Sequence, residues 1–291
     1  MNILVIGGSR FFGIHIIEAL LRSNHTITLA NRGVSKNLFH TRVNKLTFDR
    51  TSYTQCKENL NGHEFDVVID NIAYCPQDIK NILDNVTCKR YIFTSSTAVY
   101  EKKHPNITEE EFLPFHFDYQ WCSREAYTYA ILKRHTEAAL FQGYQHIPSI
   151  AVRYPYVIGK DDYTKRLLFY IENTIKGIPM RIENIDHQLN FIHSKEAGEF
   201  IAYLCQTDFE GPMNGCTTGT ISIQEILDYV EVKTGRKAII SEEGLEAPYN
   251  NMSSYSINTE KGTALGFKFS ELNTWIYDLI DFYMNLDNAL N

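Results

Sequence analysis

The segment NILVIGGSRFFGIHIIEALLRS, Asn2–Ser23, decides the fold. It opens with a short apolar run that predicts a strand and closes with apolar residues at helical spacing. Between them lies a glycine-rich turn. Glycines in such a turn let the backbone approach a pyrophosphate, whose charge then lies at the helix N-terminus. A tight turn without a ligand would also need glycine, but this position at the start of a βαβ unit favours a dinucleotide site. Its predicted residues are Gly7, Gly8, Ser9, Arg10, Phe11, Phe12 and Gly13.

The first half of the chain repeats this alternation of strand and helix. The predicted strands, apolar on both faces as in a parallel sheet covered by helices, are Asn2–Ile6, Thr26–Asn31, Lys45–Asp49, Asp66–Asn71, Arg90–Ser96 and Ser149–Val157. A helix is predicted over Arg124–Gln142. The sequence therefore predicts an α/β fold, a Rossmann-like doubly wound parallel sheet with right-handed crossovers, over residues 1–156. Residues 157–291 are expected to form mainly a smaller C-terminal α/β substrate-binding cap, with some segments returning to the Rossmann core.

The end of the second predicted strand indicates which dinucleotide binds. NAD enzymes place an acidic residue here to bind the ribose 2′-hydroxyl, whereas this chain has Asn31 followed by Arg32. Arg10 is expected near the same corner, so two guanidiniums could donate to one 2′-phosphate. The pattern favours NADP, with NAD as the alternative. The opposing interpretation is that both arginines are ordinary surface charges.

Tyr129 and Lys133 have the spacing of an acid/base pair on one helical face. A nearby ammonium favours phenolate and is expected to lower the tyrosine pKa towards neutrality. The spacing recurs elsewhere, so position must decide. Tyr129 follows the fifth strand, whose end carries the hydroxyl of Ser96 at the sheet edge where doubly wound folds bind ligands. The competing pairs are Tyr53/Lys57, Tyr156/Lys160 and Tyr229/Lys233.

Composition restricts the classes of partner. The net charge of −7 gives no electrostatic reason to expect nucleic acid. Six scattered cysteines without a CxxC pair suit a reduced protein, and no metal site is predicted. The first apolar run ends at Gly7 and no run has the length of a membrane span. A cytoplasmic protein without a membrane partner is expected.

Taken in order, several motifs resemble the extended short-chain dehydrogenase/reductase superfamily, of the NAD-dependent epimerase/dehydratase type. They are GGSRFFG, VVIDNIAY, TSSTAVY, YAILK, RYPYVIG and NFIHSKEAG. The resemblance implies that Tyr129 transfers a proton, that Lys133 binds the nicotinamide ribose and that Ser96 binds the reacting oxygen. It also implies cofactor contacts: Asp49 and Arg50 near the adenine, Ile72 and Ala73 along the groove, and Tyr154 and Pro155 against the nicotinamide.

The implied activity is an NAD(P)-dependent oxidoreductase or epimerase, with hydride transfer at a carbinol or keto carbon of a sugar-like substrate. Nucleotide-sugars are among the candidates, but Leu189 stands where many nucleotide-sugar enzymes carry an arginine on the diphosphate; Lys165, Arg166 or Arg181 could compensate. Thr97 and Ala98 replace the Asp-Glu of related dehydratases.

Three further expectations concern an alternative function, the oligomeric state and His193. The alternative function is a non-catalytic cofactor-sensing or RNA-binding member of the same fold, as in a subgroup resembling chloroplast stem-loop RNA-binding proteins. Its basic patch would lie around Lys36, Arg42 and Lys45. Relatives pair through helices that would include Tyr129–Gln142, so the resemblance implies a homodimer. His193 is expected to be structural.

Overall fold

The computed structural model of the chain describes residues 1–34 and 38–288. Within these ranges seven strands form one parallel sheet in the order β11-β6-β5-β4-β1-β2-β3. Its strands are β1 (Asn2–Ile6), β2 (Thr26–Asn31), β3 (Asn44–Thr47), β4 (Glu64–Asp70), β5 (Thr87–Ser96), β6 (Ser149–Tyr154) and β11 (Gly211–Asn214). The predicted Rossmann-like α/β fold is confirmed.

Helices cover both faces of this sheet because the side chains of each buried strand alternate between them. The helices of the described residues are α1 (Phe12–Arg22), α2 (Tyr53–Leu60), α3 (Pro76–Leu83), α4 (Tyr129–Gly143), α5 (Arg166–Lys176), α6 (Ser194–Leu204), α7 (Ile223–Thr234), α8 (Glu260–Ala264) and α9 (Ile276–Asn288). Along β1, Ile3 and Val5 pack in the core beneath α1 and α6, while Leu4 and Ile6 pack in the core beneath α2, α3 and α4.

The order of the strands creates a crevice at the carboxyl edge of the sheet. β1 pairs with β2 on one side and with β4 on the other, so the crossovers leave β1 in opposite directions. Ile6 at the end of β1 lies in register with Asp70 at the end of β4. Doubly wound sheets bind their ligands where the strand order reverses in this way.

The C-terminal part is built on a third core of its own. Leu167 and Tyr170 of α5 pack there with Ile226 of α7 and Ile280 of α9. Short strands complete it: β7 (Tyr156–Ile158), β8 (Met180–Arg181), β9 (Gln188–Leu189), β10 (Phe191–His193), β12 (Ile221–Ser222) and β13 (Leu245–Glu246). α6 and β11 instead join the central sheet and its helices. The division at residue 156 therefore remains a prediction.

Two predicted elements differ from the structure. The helix predicted over Arg124–Gln142 begins only at Tyr129, because residues 124–128 form a turn that leads into it. The strand predicted over Ser149–Val157 is broken at Pro155, which has no amide hydrogen to donate to a neighbouring strand. β6 then stays in the sheet, while β7 pairs with β10.

A buried ion pair fastens α4 to the sheet. Arg153 of β6 and Glu137 of α4 are both fully buried, and Arg153 Nη2 lies 2.6 Å from Glu137 Oε2. Ser95 of β5 donates a further hydrogen bond to this carboxylate. Arg153 also donates to the carbonyl oxygens of Glu109 and Phe112. The Arg153 guanidinium thus links the end of β6 to α4 and to the loop that contains Glu109 and Phe112. Glu137 extends this link to Ser95 at the end of β5.

The segment of residues 112–124, called the aromatic segment below, covers α3 and α4. Gln142 of α4 donates to the carbonyl oxygens of Pro114 and Phe117. At α3, the amide of Gln77 donates to Cys122, and Lys80 lies over the ring of Trp121. The aromatic segment therefore covers part of the helix predicted to form a homodimer, and the homodimer itself remains a prediction.

Two global features agree with the composition. All six cysteines are free thiols. Across residues 1–34 and 38–288, no helix combines the length and the apolar character that a bilayer span requires.

We predict that Arg153→Met lowers the free energy of unfolding by about 3 to 5 kcal/mol, because it leaves the Glu137 carboxylate buried without its ion-pair partner. Urea unfolding monitored by circular dichroism measures the loss. Arg22→Gln is the control, since the pair of Arg22 with Glu199 is exposed and its loss should cost less than about 1 kcal/mol.

The double variant Arg153→Met/Glu137→Leu separates two explanations of that loss. It removes both charges, so it should be more stable than Arg153→Met alone if the unpaired carboxylate causes the damage. A double variant no more stable than the single one would contradict this account and would assign the loss to packing.

Candidate active site

A cleft of about 930 Å³ lies along the carboxyl edge of the sheet. It runs past the ends of β1, β2 and β4 at one side and past the end of β5, the start of α4 and β7 at the other. Its volume is at the upper end of the usual range for ligand sites. The predicted cofactor residues that line it are Gly7, Ser9, Arg10, Phe11, Phe12, Asn31, Arg32, Asp49, Arg50, Ile72, Ala73, Tyr154 and Pro155.

The glycine turn has the shape that a pyrophosphate requires. Gly7 has a φ of +85°, which side-chain-bearing residues rarely adopt. A Cβ on Gly13 would lie 2.4 Å from the Gly7 carbonyl oxygen, so α1 can begin this close to the strand only with glycine there. Gly8 is buried against Ile17, where a Cβ would stand 2.5 Å from that side chain. Gly8 and Gly13 therefore shape the loop by packing rather than by lining the cleft, and the resulting turn fits the pyrophosphate of a dinucleotide.

Phe11 carries backbone strain in the same loop. It has φ 53° and ψ −143°, a combination outside the regions that L-residues favour. Strain of this kind costs on the order of 1 to 3 kcal/mol and persists where the surroundings impose it. The Phe11 ring packs edge-on against Phe12 and Tyr163, which supply that constraint.

Arg10 and Arg32 both line the cleft, but each has different neighbours. The Arg10 guanidinium carbon lies 4.6 Å from the centre of the Tyr163 ring. Arg32 lies near the carboxylate of Asp49, whose pKa is held below its usual range first by hydrogen bonds from Thr51 and also by the charge of Arg32. The Asn31 side chain accepts a hydrogen bond from the amide of Gly33. The convergence of two arginines on one phosphate remains a prediction.

The guanidinium of Arg50 is bound by other groups of the protein, and the cofactor contact predicted for this residue remains a prediction. Arg50 is only 4% exposed. Its Nη1 donates to Asp70 Oδ1 at 2.5 Å and its Nη2 to the carbonyl oxygen of Asp78. Tyr91 donates to the second oxygen of Asp70. A sequence pattern does not distinguish such a buried arginine from one that faces a ligand, because the partners lie 20 and 28 residues away.

Ser96, Tyr129 and Lys133 meet at the other side of the cleft. Ser96 ends β5 and forms a hydrogen bond with the hydroxyl of Tyr129, the first residue of α4. Lys133 lies one turn further along α4, and its Nζ donates to the carbonyl oxygens of Ala73 and Thr94 at 2.7 and 2.8 Å. Its ammonium lies 5.6 Å from the centre of the Tyr129 ring. The three predicted catalytic residues are thus neighbours in space.

The pKa values differ from the expectation that Lys133 lowers the pKa of Tyr129 towards neutrality. Desolvation by the cleft raises the pKa of Tyr129 to about 12, although the hydrogen bond from Ser96 and the charge of Arg166 act in the opposite direction. Burial lowers the pKa of Lys133 to about 7, against the influence of Asp70 and Glu137, which favour its charged form. In this state of the protein the lysine, not the tyrosine, has the pKa closest to neutrality.

The three other tyrosine–lysine pairs lie in different settings. Tyr53 and Lys57 are on α2, beside a separate small hollow. The Tyr229 hydroxyl donates a hydrogen bond to Asp281, and the same carboxylate forms an ion pair with Lys233. In the remaining pair Tyr156 lines the cleft, while the Lys160 ammonium lies over the ring of Phe282.

Two further cations line the cleft with Tyr129: Lys103, which no sequence motif indicates, and Arg166, which the sequence offers as a substitute for the diphosphate arginine. Lys103 follows the Ser96 strand end, and its Nζ donates to the carbonyl oxygen of Thr97 at 2.5 Å. Arg166, the first residue of α5, lies with its guanidinium carbon 5.4 Å from the centre of the Tyr156 ring. Both line the cleft. No sequence spacing pointed to Lys103, because the loop after β5 alone brings it there.

Of the three cations that could replace the missing diphosphate arginine, Arg166 is the one that lines the cleft within the described residues. Arg181 is engaged by Glu246 and Glu183 on the surface. Leu189 is 2% exposed and packs in the third core. His193 has the structural role predicted for it: its Nδ1 accepts from the amide of Lys195 and its ring packs against Trp275.

Comparison with known proteins finds one matching family model and several solved structures with the same fold. The model of the NAD-dependent epimerase/dehydratase family matches residues 3–215. Among solved structures, UDP-glucose 4-epimerase of Thermus thermophilus, in complex with NAD, shares 18% identity over 97% of this chain and 99% of that one, with a TM-score of 0.73. UDP-glucuronic acid 4-epimerase of Bacillus cereus, in complex with UDP-glucuronic acid and NAD, shares 16% identity over 100% of both chains, with a TM-score of 0.76.

A curated relative matches a shorter part of the sequence. The chloroplast stem-loop binding protein of 41 kDa b of Arabidopsis thaliana is 32% identical over 115 residues. That match covers 35% of this chain and 30% of the relative. The solved structures show the shared fold, and a nicotinamide dinucleotide is the cofactor that the comparisons support.

We predict that the free energy of unfolding of the dinucleotide-free protein rises with pH between about 7 and 10.5 through Lys133. The folded protein loses this proton near pH 7, whereas the unfolded chain keeps it until about pH 10.5. The unfolded state therefore binds more protons within this window, and stability increases with pH there.

Urea unfolding at pH 6.5, 7.5 and 8.5, in wild type and in Lys133→Met, measures this contribution. The methionine variant should gain less stability with rising pH than the wild type. Lys57→Met, which changes an exposed lysine of α2, is the control and should follow the wild type. Parallel curves for wild type and Lys133→Met would contradict the prediction.

Proposed function

The chain belongs to the NAD-dependent epimerase/dehydratase family, and from that premise we propose that it is an NADP-dependent oxidoreductase or epimerase acting on a hydroxyl or keto carbon of a sugar-like substrate. The observation that carries the proposal is the meeting of Ser96, Tyr129 and Lys133 in the cleft that the glycine turn also borders. A protein that only bound the dinucleotide would not need a hydroxyl, a phenol and a buried lysine beside the place of reaction.

Each of these residues has a separate task in the proposed reaction. A nicotinamide held against Tyr154 and Pro155 would supply or accept a hydride at the substrate carbon. Tyr129 moves the proton of the substrate oxygen, and the Ser96 hydroxyl hydrogen bonds to the same oxygen and fixes its position. Lys133 is within 2.8 Å of two carbonyl oxygens at the cleft floor. From there it binds the ribose hydroxyls and, when protonated, favours the phenolate of Tyr129.

The high pKa of Tyr129 suits it to donate a proton in the direction of reduction. In the opposite direction a positive charge nearby must stabilise the phenolate, and both Lys133 and Arg166 are placed to do so. Glu137 holds Lys133 indirectly, since it anchors the turn of α4 that follows Lys133 to Arg153. Tyr129 and Lys133 are therefore the acid/base pair, and Glu137 is a positioning residue.

The preference for NADP is supported by charge at the end of β2. No carboxylate stands at Asn31, and Arg32 is exposed at the cleft. An acidic residue there would repel a 2′-phosphate, whereas a guanidinium donates to it through charge-assisted hydrogen bonds. The Asp49 carboxylate competes with a 2′-phosphate for Arg32, because the charge of Arg32 already lowers the pKa of Asp49.

RNA binding is the second candidate, favoured by the partial match to a stem-loop binding protein. Arg42 and Lys45 of the predicted basic patch are exposed, and Lys36 lies outside the described residues. Salt-dependent binding of a stem-loop RNA, lost in Arg42→Ala/Lys45→Ala, would support this function. The net charge of −7 weighs against it.

We predict that the protein binds NADPH about tenfold or more tightly than NADH, because charge-assisted hydrogen bonds contribute roughly 1.5 to 3 kcal/mol each. Isothermal titration calorimetry measures both affinities in wild type, Arg10→Ala and Arg32→Ala. A shared phosphate site requires that each variant lose the preference. Arg42→Ala, an exposed arginine outside the cleft lining, should keep it.

Other outcomes of this titration have distinct meanings. Loss in Arg32→Ala alone would leave Arg32 as the 2′-phosphate residue and assign Arg10 to the loop and Tyr163. Equal affinity of the wild type for both dinucleotides would contradict the NADP preference. Binding of neither would contradict the enzymatic proposal.

We predict that Tyr129→Phe keeps its affinity for the dinucleotide and loses turnover by about 100- to 10,000-fold, since only the transferable proton is removed. Turnover is followed by the absorbance of NADPH during a screen of hydroxyl and carbonyl sugars. Tyr229→Phe changes the tyrosine of a competing pair outside the cleft and should keep full activity. Undiminished turnover in Tyr129→Phe would mean that another group transfers the proton.

A further inference from the structure

The cleft carries more positive charge than it balances with its own acids. The cations that line it are Arg10, Arg32, Arg50, Lys103, Arg124, Lys133 and Arg166. Among the described residues that line it, Asp49 is the sole acidic side chain, and it lies on the dinucleotide side near Arg32. A cleft lined in this way attracts anionic ligands.

Most of these cations already have an assignment. Arg50 and Arg124 form ion pairs with Asp70 and Asp78. Lys133 donates to two carbonyl oxygens of the cleft floor. Arg10 and Arg32 lie on the side of the glycine turn and β2, where the dinucleotide phosphates are expected. Lys103 and Arg166 remain, and both lie on the side of Ser96 and Tyr129.

Arg166 has no hydrogen-bond or ion-pair partner within residues 1–34 and 38–288. Its guanidinium faces the ring of Tyr156, and no hydrogen bond or ion pair joins it to any other residue of these ranges. Arg134 and Arg153, by contrast, each pair with a carboxylate. The nearby carboxylate of Asp162 instead accepts both hydrogen bonds of Thr164 through one oxygen. Arg166 therefore keeps its forked donors available to a ligand.

Lys103 is available in the same way. One of the three donors of its ammonium binds the carbonyl oxygen of Thr97, which directly follows Ser96 in the chain. The ammonium also lies 5.3 Å from the centre of the Tyr255 ring, so an aromatic wall partly shields it from water. A cation in such surroundings gains more from an anion than an exposed one does.

Both cations line the same cleft as Ser96 and Tyr129. Lys103 donates a hydrogen bond to the carbonyl oxygen of Thr97, the residue after Ser96. The positive charge of Arg166 acts to lower the pKa of the Tyr129 hydroxyl. Of the positions considered for a diphosphate, Leu189 is packed in a core and Arg181 is paired on the surface, so within the described lining of the cleft Arg166 alone remains. An anion bound here thus belongs close to the substrate carbon that reacts.

We propose that Arg166 and Lys103 bind an anionic group, a carboxylate or a phosphate, that the substrate itself carries near its reacting carbinol carbon. The substrate class is then a small sugar acid or sugar phosphate rather than a nucleoside-diphosphate sugar. This inference rests on the proposed function, because Tyr129 defines where the reacting carbon lies. Arg166 acts as a specificity-determining residue, since its planar fork matches the two oxygens of a carboxylate or phosphate.

Isothermal titration calorimetry on the NADPH-saturated full-length chain tests the proposal with four probes: D-gluconate, D-glucose 6-phosphate, UDP-glucose and uncharged D-glucose. We expect one of the first two to bind and glucose to bind at least tenfold more weakly. Arg166→Gln should raise the dissociation constant of the bound anion about tenfold or more. Arg166→Lys, which keeps the charge and loses the fork, should lie between wild type and Arg166→Gln.

Lys165→Gln is the matched control, because it removes the neighbouring charge outside the cleft lining and should leave the anion affinity unchanged. The gluconate and glucose 6-phosphate titrations distinguish a carboxylate from a phosphate. Tighter binding of UDP-glucose than of both small anions would overturn the proposal. An equal loss of anion affinity in Arg166→Gln and Lys165→Gln would also overturn it, because the loss would then follow from the change in net charge alone.

Failure of this inference is distinguishable from failure of the proposed function. NADPH affinity and the loss of turnover in Tyr129→Phe concern the proposed function and do not depend on Arg166. Anion binding that is weakened by Arg10→Ala instead of Arg166→Gln would place the anion at the glycine turn and overturn the inference. NADPH affinity that stays within twofold of wild type in Arg166→Gln, with anion affinity lost, would support it.

Discussion

The buried ion pair between Arg153 and Glu137 holds the active-site helix where its chemistry is possible. Glu137 lies one turn after Lys133 on α4, so fixing its carboxylate to β6 also fixes the direction in which Lys133 reaches the cleft floor. Ser95, beside Ser96, donates to the same carboxylate. A pair this deeply buried brings little net stability, because desolvation offsets most of the attraction. Its consequence is a defined position for the strand end and the helix relative to each other.

The cleft itself departs from what stability alone would select. Phe11 has a strained backbone, Lys133 keeps an amine in surroundings that disfavour its charge, and Arg166 has no ion-pair partner in the described residues. Each of these features costs folding free energy, and all border one cleft. Such costs are expected where a protein must receive charged groups that it does not itself contain. The network of Arg50 with Asp70 and Asp78 shows the contrast, since there the protein supplies every partner.

Much of the fold and part of the site could be predicted from sequence, for reasons that particular residues illustrate. The strand Asn2–Ile6 and the glycine turn after it are encoded by neighbours in the chain, and both occur as predicted. The meeting of Tyr129 and Lys133 was also local, since four residues make one helical turn. Ser96 could be added because parallel strands end at one edge of the sheet.

Other features depend on contacts between distant residues, which no local pattern encodes. Sequence alone determined the doubly wound class, the glycine turn and the position of Tyr129 and Lys133 one turn apart on a helix, because these follow from periodicity and spacing within about 20 residues. Only the tertiary structure decided that Arg50 is buried with Asp70, that Lys103 and Arg166 border the cleft near Tyr129, and that the aromatic segment covers α4. The same side-chain type is a surface charge, a structural ion pair or a ligand-binding group according to the carboxylates that folding brings within reach, and those carboxylates lie far away in the chain.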